Sequence, residues 1–195
     1  RGADVNAHDH DGHTSLTLAV KAGQDDIIAD VLAAHADPKA HQKDGLTALH
    51  IAAENGRTDS VARLLRAGAG VNALDAERRT PLLLALKGGH GKASEILIAN
   101  GASLNVTDTE AIAPLAVAAA QGLDGTVTAI LKRGTQIDAV DANGRSAIWH
   151  AADRGRTLVV KQLLARKSAA DRADKDGQTP IGRAAQGNYT GVVVA

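Results

Sequence analysis

Apolar residues in this chain come in short runs of two alternating kinds, and most runs end at a glycine. In "GLTALHIAAENG" at 45, a threonine opens a run of Ala, Leu, Ile and His that stops at Gly56, about nine residues on. A hydroxyl residue ahead of such a run predicts a helix start, because its side chain accepts from amides that the first turn leaves unpaired. Glycine at the far end predicts the left-handed residue that closes a helix. Thr14, Thr47, Thr80, Ser146 and Thr179 occupy the opening position. Gly23, Gly56, Gly89, Gly122 and Gly155 occupy the closing one, with Asn188 in the last copy. Proline after the threonine, as in Thr80-Pro81 and Thr179-Pro180, fits the first helical position.

A second run follows each stop. Ile27, Ile28, Val31 and Leu32 stand at i, i+1, i+4 and i+5, which is one face of a helix. Leu64-Leu65, Leu97-Ile98, Ile130-Leu131 and Leu163-Leu164 repeat the theme. Gly68, Gly101 and Gly134 close this second helix in three copies, whereas His35 and Lys167 hold the position in two others. A left-handed non-glycine residue costs about 1 kcal/mol, which predicts that those two turns differ. The stretch that remains, "VNALDAERR" and its equivalents, predicts an extended segment with a tight turn.

The whole pattern has a period of 33 residues. "GHTSLTLAVKAG" at 12 returns as "GLTALHIAAENG" at 45, "RRTPLLLALKGG" at 78, "AIAPLAVAAAQG" at 111, "GRSAIWHAADRG" at 144 and "GQTPIGRAAQGN" at 177, without insertion or deletion. Ala19, Ala52, Ala85, Ala118, Ala151 and Ala184 form an invariant small column. Leu16, Leu49, Leu82, Leu115, Ile148 and Ile181 form an aliphatic one.

These residues closely resemble the ankyrin repeat, whose pattern is roughly D-x-x-G-x-T-P-L-H-x-A-A-x-x-G followed by a helix ending L-L-x-x-G-A-x-x-N. "DGLTALHIAAENGRTDSVARLLRAGAGVNA", from 44 to 73, is close to it throughout. The resemblance implies an all-α repeat fold, an ankyrin-repeat solenoid of stacked helix-turn-helix units with β-turn fingers. In such arrays each repeat contacts only its neighbours. The organisation expected is a single array over 1–195: the tail of a preceding repeat at 1–8, five full repeats at about 9–173, and a partial sixth at 174–195. Both ends fall inside repeats, so the segment reads as an internal part of a longer, monomeric array. Departures from the family pattern are few. The consensus His, which in the family braces neighbouring loops, survives only as His50, with Thr17, Leu83, Ala116, Trp149 and Gly182 elsewhere. Copy four carries Ala111 and Ala113 where the pattern has Gly and Thr, which leaves the geometry of that turn open.

Composition narrows the function classes. Apolar content of 44% with 23% charged residues is that of a folded protein. Twenty-two acidic residues balance twenty-two basic ones, so no global field favours nucleic acid or an anionic membrane. Absence of cysteine removes disulfides, thiolate catalysis and Cys-ligated zinc, and leaves the compartment open, with cytoplasm ahead of periplasm or secretion. No apolar run approaches the ~18 residues of a membrane span. Trp149 and Tyr189 are the only aromatics, so stacking platforms for single-stranded nucleic acid are missing. The Ala- and Arg-rich composition points to a GC-rich bacterium.

The resemblance implies that a protein partner is contacted by the turn tips and the concave face of the first helices. Carried onto this sequence, the contact set is His8, His10, Asp11 and His13; His41, Lys43, Asp44 and Leu46; Leu74, Glu77 and Arg79; Thr107, Glu110 and Ile112; and Arg145 with Trp149. First-helix positions such as Lys21, Glu54, Lys87, Ala120 and Arg154 join them. Leu46, Leu74, Ile112 and Val140 are expected to form an apolar centre. Trp149 is a candidate anchor, but its place in the framework His column favours a packing role.

Three chemical readings compete for the stretch "AHDHDGHTSL". His8 and His10, two apart on an extended segment, are weak candidates for a metal. Asp9 falls in a column with Asp75, Asp108, Asp141 and Asp174, which assigns it to the framework. Five of the eight histidines lie in the first 41 residues, so a proton-sensitive patch is favoured over a metal. "GGHGKAS" at 88 mimics a phosphate loop but lacks its first Gly, at Leu86, and its Ser/Thr, at Ala93. No cofactor, metal or Ser-His-Asp set is expected. The chain therefore reads as a non-catalytic protein-interaction scaffold. The alternative is a targeting or regulatory arm of an enzyme or toxin whose active site lies elsewhere.

Overall fold

A computed structural model describes residues 3–107 and 109–194. Asp108, in the framework column, lies outside the described residues. Two compact units divide the chain, Arg1–Ser103 and Leu104–Ala195. The first unit holds α1 (Ser15–Ala22), α2 (Asp25–Ala33), α3 (Ala48–Glu54), α4 (Thr58–Arg66), α5 (Pro81–Lys87) and α6 (Gly91–Ala99). The second holds α7 (Pro114–Gln121), α8 (Asp124–Lys132), α9 (Ala147–Asp153), α10 (Thr157–Ala165), α11 (Pro180–Gln186) and α12 (Thr190–Val193). Within the first unit α3 packs between α1 and α5, and α4 between α2 and α6. The second unit repeats this, with α9 between α7 and α11 and α10 between α8 and α12.

The columns explain the stacking. The invariant alanines are all buried, and a side chain of one carbon lets neighbouring first helices approach closely. Leu16, Leu49, Leu82, Leu115 and Ile148 are also buried beside them, each worth about 2 kcal/mol of burial. Thr14, Thr47, Thr80, Ser146 and Thr179 cap their helices through the hydroxyl, as in Leu83 N–H to Thr80 Oγ1 at 3.2 Å. Ala113 holds the same extended conformation ahead of α7 but has no side chain to cap with.

The two turns expected to differ do not. His35 and Lys167 adopt φ of 64° and 61°, in the left-handed region where Gly68 and Gly101 also sit. The main chain dictates this. Ala36 N–H reaches Val31 O at 2.9 Å and Ser168 N–H reaches Leu163 O at 3.1 Å, as Ala69 N–H reaches Leu64 O at 3.0 Å. That closing bond forms only if the residue before its donor is left-handed. Copy four behaves likewise: Ala111 takes φ of 59°. Arg78, in the same column of copy three, takes 61°.

Candidate recognition surface

Four of the tips are hairpins whose backbone is fastened by a framework carboxylate. Asp75 Oδ1 accepts from the amides of Glu77 at 3.0 Å and Arg79 at 2.8 Å. Asp9, Asp141 and Asp174 accept from the residues two and four positions on in the same way. Copy two has Gln42 at this position, and there Asp44 takes over one bond by accepting from Leu46 N–H at 3.0 Å. Neighbouring tips are then joined through the main chain. Lys43 N–H donates to Asp11 O at 3.1 Å, Ala76 N–H to Asp44 O at 2.9 Å, and Lys175 N–H to Asn143 O at 3.0 Å. Below the tips, Asn6 Oδ1 accepts from Asp37 N–H and Asn72 Oδ1 from Ser103 N–H, tying each loop to the next. Asp138 does the same for Ala169.

This framework sorts the expected contact residues into two groups. His8, His10, Asp11, His41, Lys43, Asp44, Leu74, Glu77 and Glu110 are exposed on the tips. Residues just before the helix caps instead turn in to a framework carboxylate, His13 and Arg79 to that of their own hairpin and Arg145 to that of the next. His13 Nδ1 lies 3.0 Å from Asp9 Oδ2, Arg79 Nε 2.7 Å from Asp75 Oδ2, and Arg145 Nε 3.2 Å from Asp174 Oδ2. Leu46 and Ile112 share that position and are half-buried, as are Thr107 and Val140, so the expected apolar centre reduces to Leu74, 45% exposed. Trp149 does not project as an anchor. It is 5% exposed, its Nε1–H donates to Gln178 O at 3.1 Å, and Arg145 and Arg183 lie over its ring at 4.4 and 5.6 Å. Ala120 is buried too, whereas Lys21, Glu54, Lys87 and Arg154 are exposed.

A further column escaped the sequence reading. Arg57 Nη2 donates to Lys21 O at 3.4 Å, His90 Nε2 to Glu54 O at 2.9 Å, and Arg156 Nε to Ala120 O at 3.1 Å. In each case a residue at the start of a second helix reaches back to the carbonyl end of the preceding first helix. Two of the three are cations, which the negative end of a helix favours. Each lies over the closing glycine of that helix, Gly23, Gly56 or Gly122. Only a residue without Cβ leaves that room. The signal was present in the sequence as the closing Gly column, but its left-handed role already accounted for it.

The period, the paired helices and the hairpin tips agree with the comparison to known families. The family model for ankyrin repeats (3 copies) matches residues 16–108 and 115–194. The chain belongs to the ankyrin-repeat family. A search of curated proteins finds no match. Ankyrin repeats are generally protein–protein interaction modules and are typically non-catalytic. Among the described residues, no helix is long and apolar enough to cross a membrane.

Electrostatics follow the framework of this ankyrin array. The amide of His13, with that of Asp11 and the His13 ring, holds the Asp9 carboxyl below the usual carboxylate range. Burial works against the charge of Asp174, yet the Gln178 and Asp176 amides and Arg145 prevail and lower it. His50 is fully buried and burial pushes its pKa down; Nδ1 accepts from Thr47 N–H and Nε2 donates to Arg79 O at 3.1 Å. Burial also lowers His150, outweighing the Asp141 carboxylate 3.0 Å away. Among the described residues, no three His, Cys, Asp or Glu side chains stand together as a metal site. His8 and His10, the weak candidates, have no third ligand of that kind. Asp9, between them in sequence, is engaged by its own hairpin.

Proposed function

We propose that the chain is a non-catalytic scaffold that binds a protein partner through its turn tips and the exposed ends of its first helices. The observation that carries this is the fastening of the tips. Their backbone is held by framework carboxylates and by main-chain bonds between neighbours, so side chains such as His10, Lys43 and Leu74 project without holding up the fold. A preorganised surface of that kind meets a partner with little ordering cost.

The test compares retention from an extract of the source cells on three immobilised proteins. The first is the intact chain and the second carries Leu74→Ser with Glu77→Ala on the third tip. The third carries Asp59→Ala with Arg66→Ala on exposed positions of α4. A protein retained by the first and third but lost by the second supports tip recognition. Loss on the α4 variant alone, or equal retention by all three, overturns it.

A further inference from the structure

We propose that the groove between the first two tips binds a carboxylate-rich peptide, and that it does so when its imidazoles carry charge. The proposal rests on the tip-recognition reading and gives this part of the surface a ligand chemistry. The groove has a volume of about 910 Å³ and presents His8, His10, Lys39, His41 and Lys43. Two carboxylates also line it, Asp9 and Asp37, and both face their own backbone. Asp9 accepts from the Asp11 and His13 amides, and Asp37 from the Lys39 amide at 2.9 Å. Of the acids on the flanking turns, Asp4 accepts from Asn6 N–H and Asp44 from Leu46 N–H, while Asp11 stands exposed on the first tip. Neither Lys39 nor Lys43 has an ion pair among the described residues.

Two of the imidazoles are aimed by the same device. His8 Nδ1 lies 3.4 Å from Asp9 O and His41 Nδ1 lies 3.1 Å from Gln42 O, each the carbonyl of the following residue. A carbonyl only accepts, so Nδ1 carries the proton and Nε2 of the neutral ring has none. A neutral ring therefore offers a carboxylate no donor at Nε2. Adding the second proton there creates a donor and a charge at once. With the rings neutral, two ammonium groups face two carboxylates in the lining; with them protonated, five cations do.

The second unit supplies an internal comparison. Its groove between the fifth and sixth tips keeps an acid at Asp141 and a lysine at Lys175, has Asp174 where the first has Gln42, adds Arg172, and has Val140, Ala142 and Ala173 where the first has His8, His10 and His41. The imidazoles are thus a property of one groove and not of the hairpin framework. Carboxylate is favoured over phosphate as the ligand because no guanidinium lines the first groove. Arginine's planar fork is the side chain suited to bidentate phosphate, whereas lysine and imidazolium act as separate charges matched to carboxylates spaced along a chain.

Anisotropy of dye-labelled hexaglutamate with the intact chain, at pH 7.5 and 5.5, tests this. Binding is expected to be about fivefold tighter at the lower pH, as two or three exposed charge pairs would give. His8→Gln with His41→Gln should cut that gain to what His10 alone supplies, and Lys39→Ala with Lys43→Ala should weaken binding at both pH values. Thermal melts at pH 5.5 confirm that each variant is folded. No binding at pH 5.5, equal binding of hexaglutamine, an undiminished gain in the histidine variant, or a preference for inorganic polyphosphate would each overturn the proposal. A partner lost on changing Leu74 and Glu77 would leave tip recognition standing even if hexaglutamate fails to bind.

Discussion

Trp149 Nε1–H donates to Gln178 O at 3.1 Å, and His50 Nε2 makes the equivalent bond to Arg79 O at the same distance. An indole has replaced an imidazole in one column and kept its donor. Both bonds run 29 residues forward, to the residue just before the next helix cap. Trp149→Phe should therefore cost about 1 kcal/mol, for the one lost bond, since Gln178 O still accepts from Asp174 N–H at 2.9 Å. Trp149→Ala should cost about 3–5 kcal/mol, because it also empties the space under two guanidinium groups. Urea melts followed by circular dichroism measure both, and a Phe variant as stable as the parent would refute the bracing role.

Acid should destabilise the fold through its buried histidines. The pKa values of His50 and His150 are lowered from 6.5 by burial. Between that value and the lower folded one, the unfolded chain binds more protons, so unfolding is favoured as pH falls. Their contribution is complete above pH 6.5 and is lost as pH drops through the folded values. The slope is at most about 1.4 kcal/mol per pH unit for each ring. Chemical denaturation from pH 7.5 to 5 gives the curve, and His50→Gln should flatten it by one proton.

Gly122→Ala and Gly134→Ala separate two uses of glycine. Both residues are left-handed, at φ of 75° and 74°, which alone costs about 1 kcal/mol on gaining a side chain. At Gly134 nothing stands near the added carbon, whereas at Gly122 it would meet Arg156 Cδ at 2.8 Å. Displacing that side chain breaks its bond to Ala120 O and adds about 1 kcal/mol. Equal melting temperatures for the two variants would show that the arginine brace contributes nothing.

Copy four can be repaired. Ala113→Thr restores the missing hydroxyl cap of α7 and should stabilise by about 1 kcal/mol. Ala111→Gly relieves a left-handed alanine and should add a similar amount. The two act on adjoining turns, so the double variant tests their additivity in a single series of thermal melts.

The helix pairs, their caps, the small column and the carboxylate column were legible because each is a residue type repeated at a fixed place. What stayed hidden was set by closure of the backbone and not by side-chain type. Arg78, His35 and Lys167 are left-handed because the turns around them must complete main-chain bonds, at a cost their own side chains disfavour. Compensation within a copy was equally invisible. Asp44 looks like one more variable tip residue until Gln42 is seen to have left a hairpin amide for it to accept. The pairing of residues such as Arg79 and Arg145 was hidden for a related reason, since a charged residue beside a tip looks wholly solvent-facing until its carboxylate partner is located.

The bonds from Lys43 N–H to Asp11 O and from Ala76 N–H to Asp44 O pass through main-chain atoms alone. Their consequence is a separation of text from binding. A mutation at His10 or Lys43 rewrites what the edge says while the spine that holds the pages stays sewn. Under the proposed tip recognition, substitutions at these positions change the surface offered to a partner while the main-chain bonds between tips stay in place.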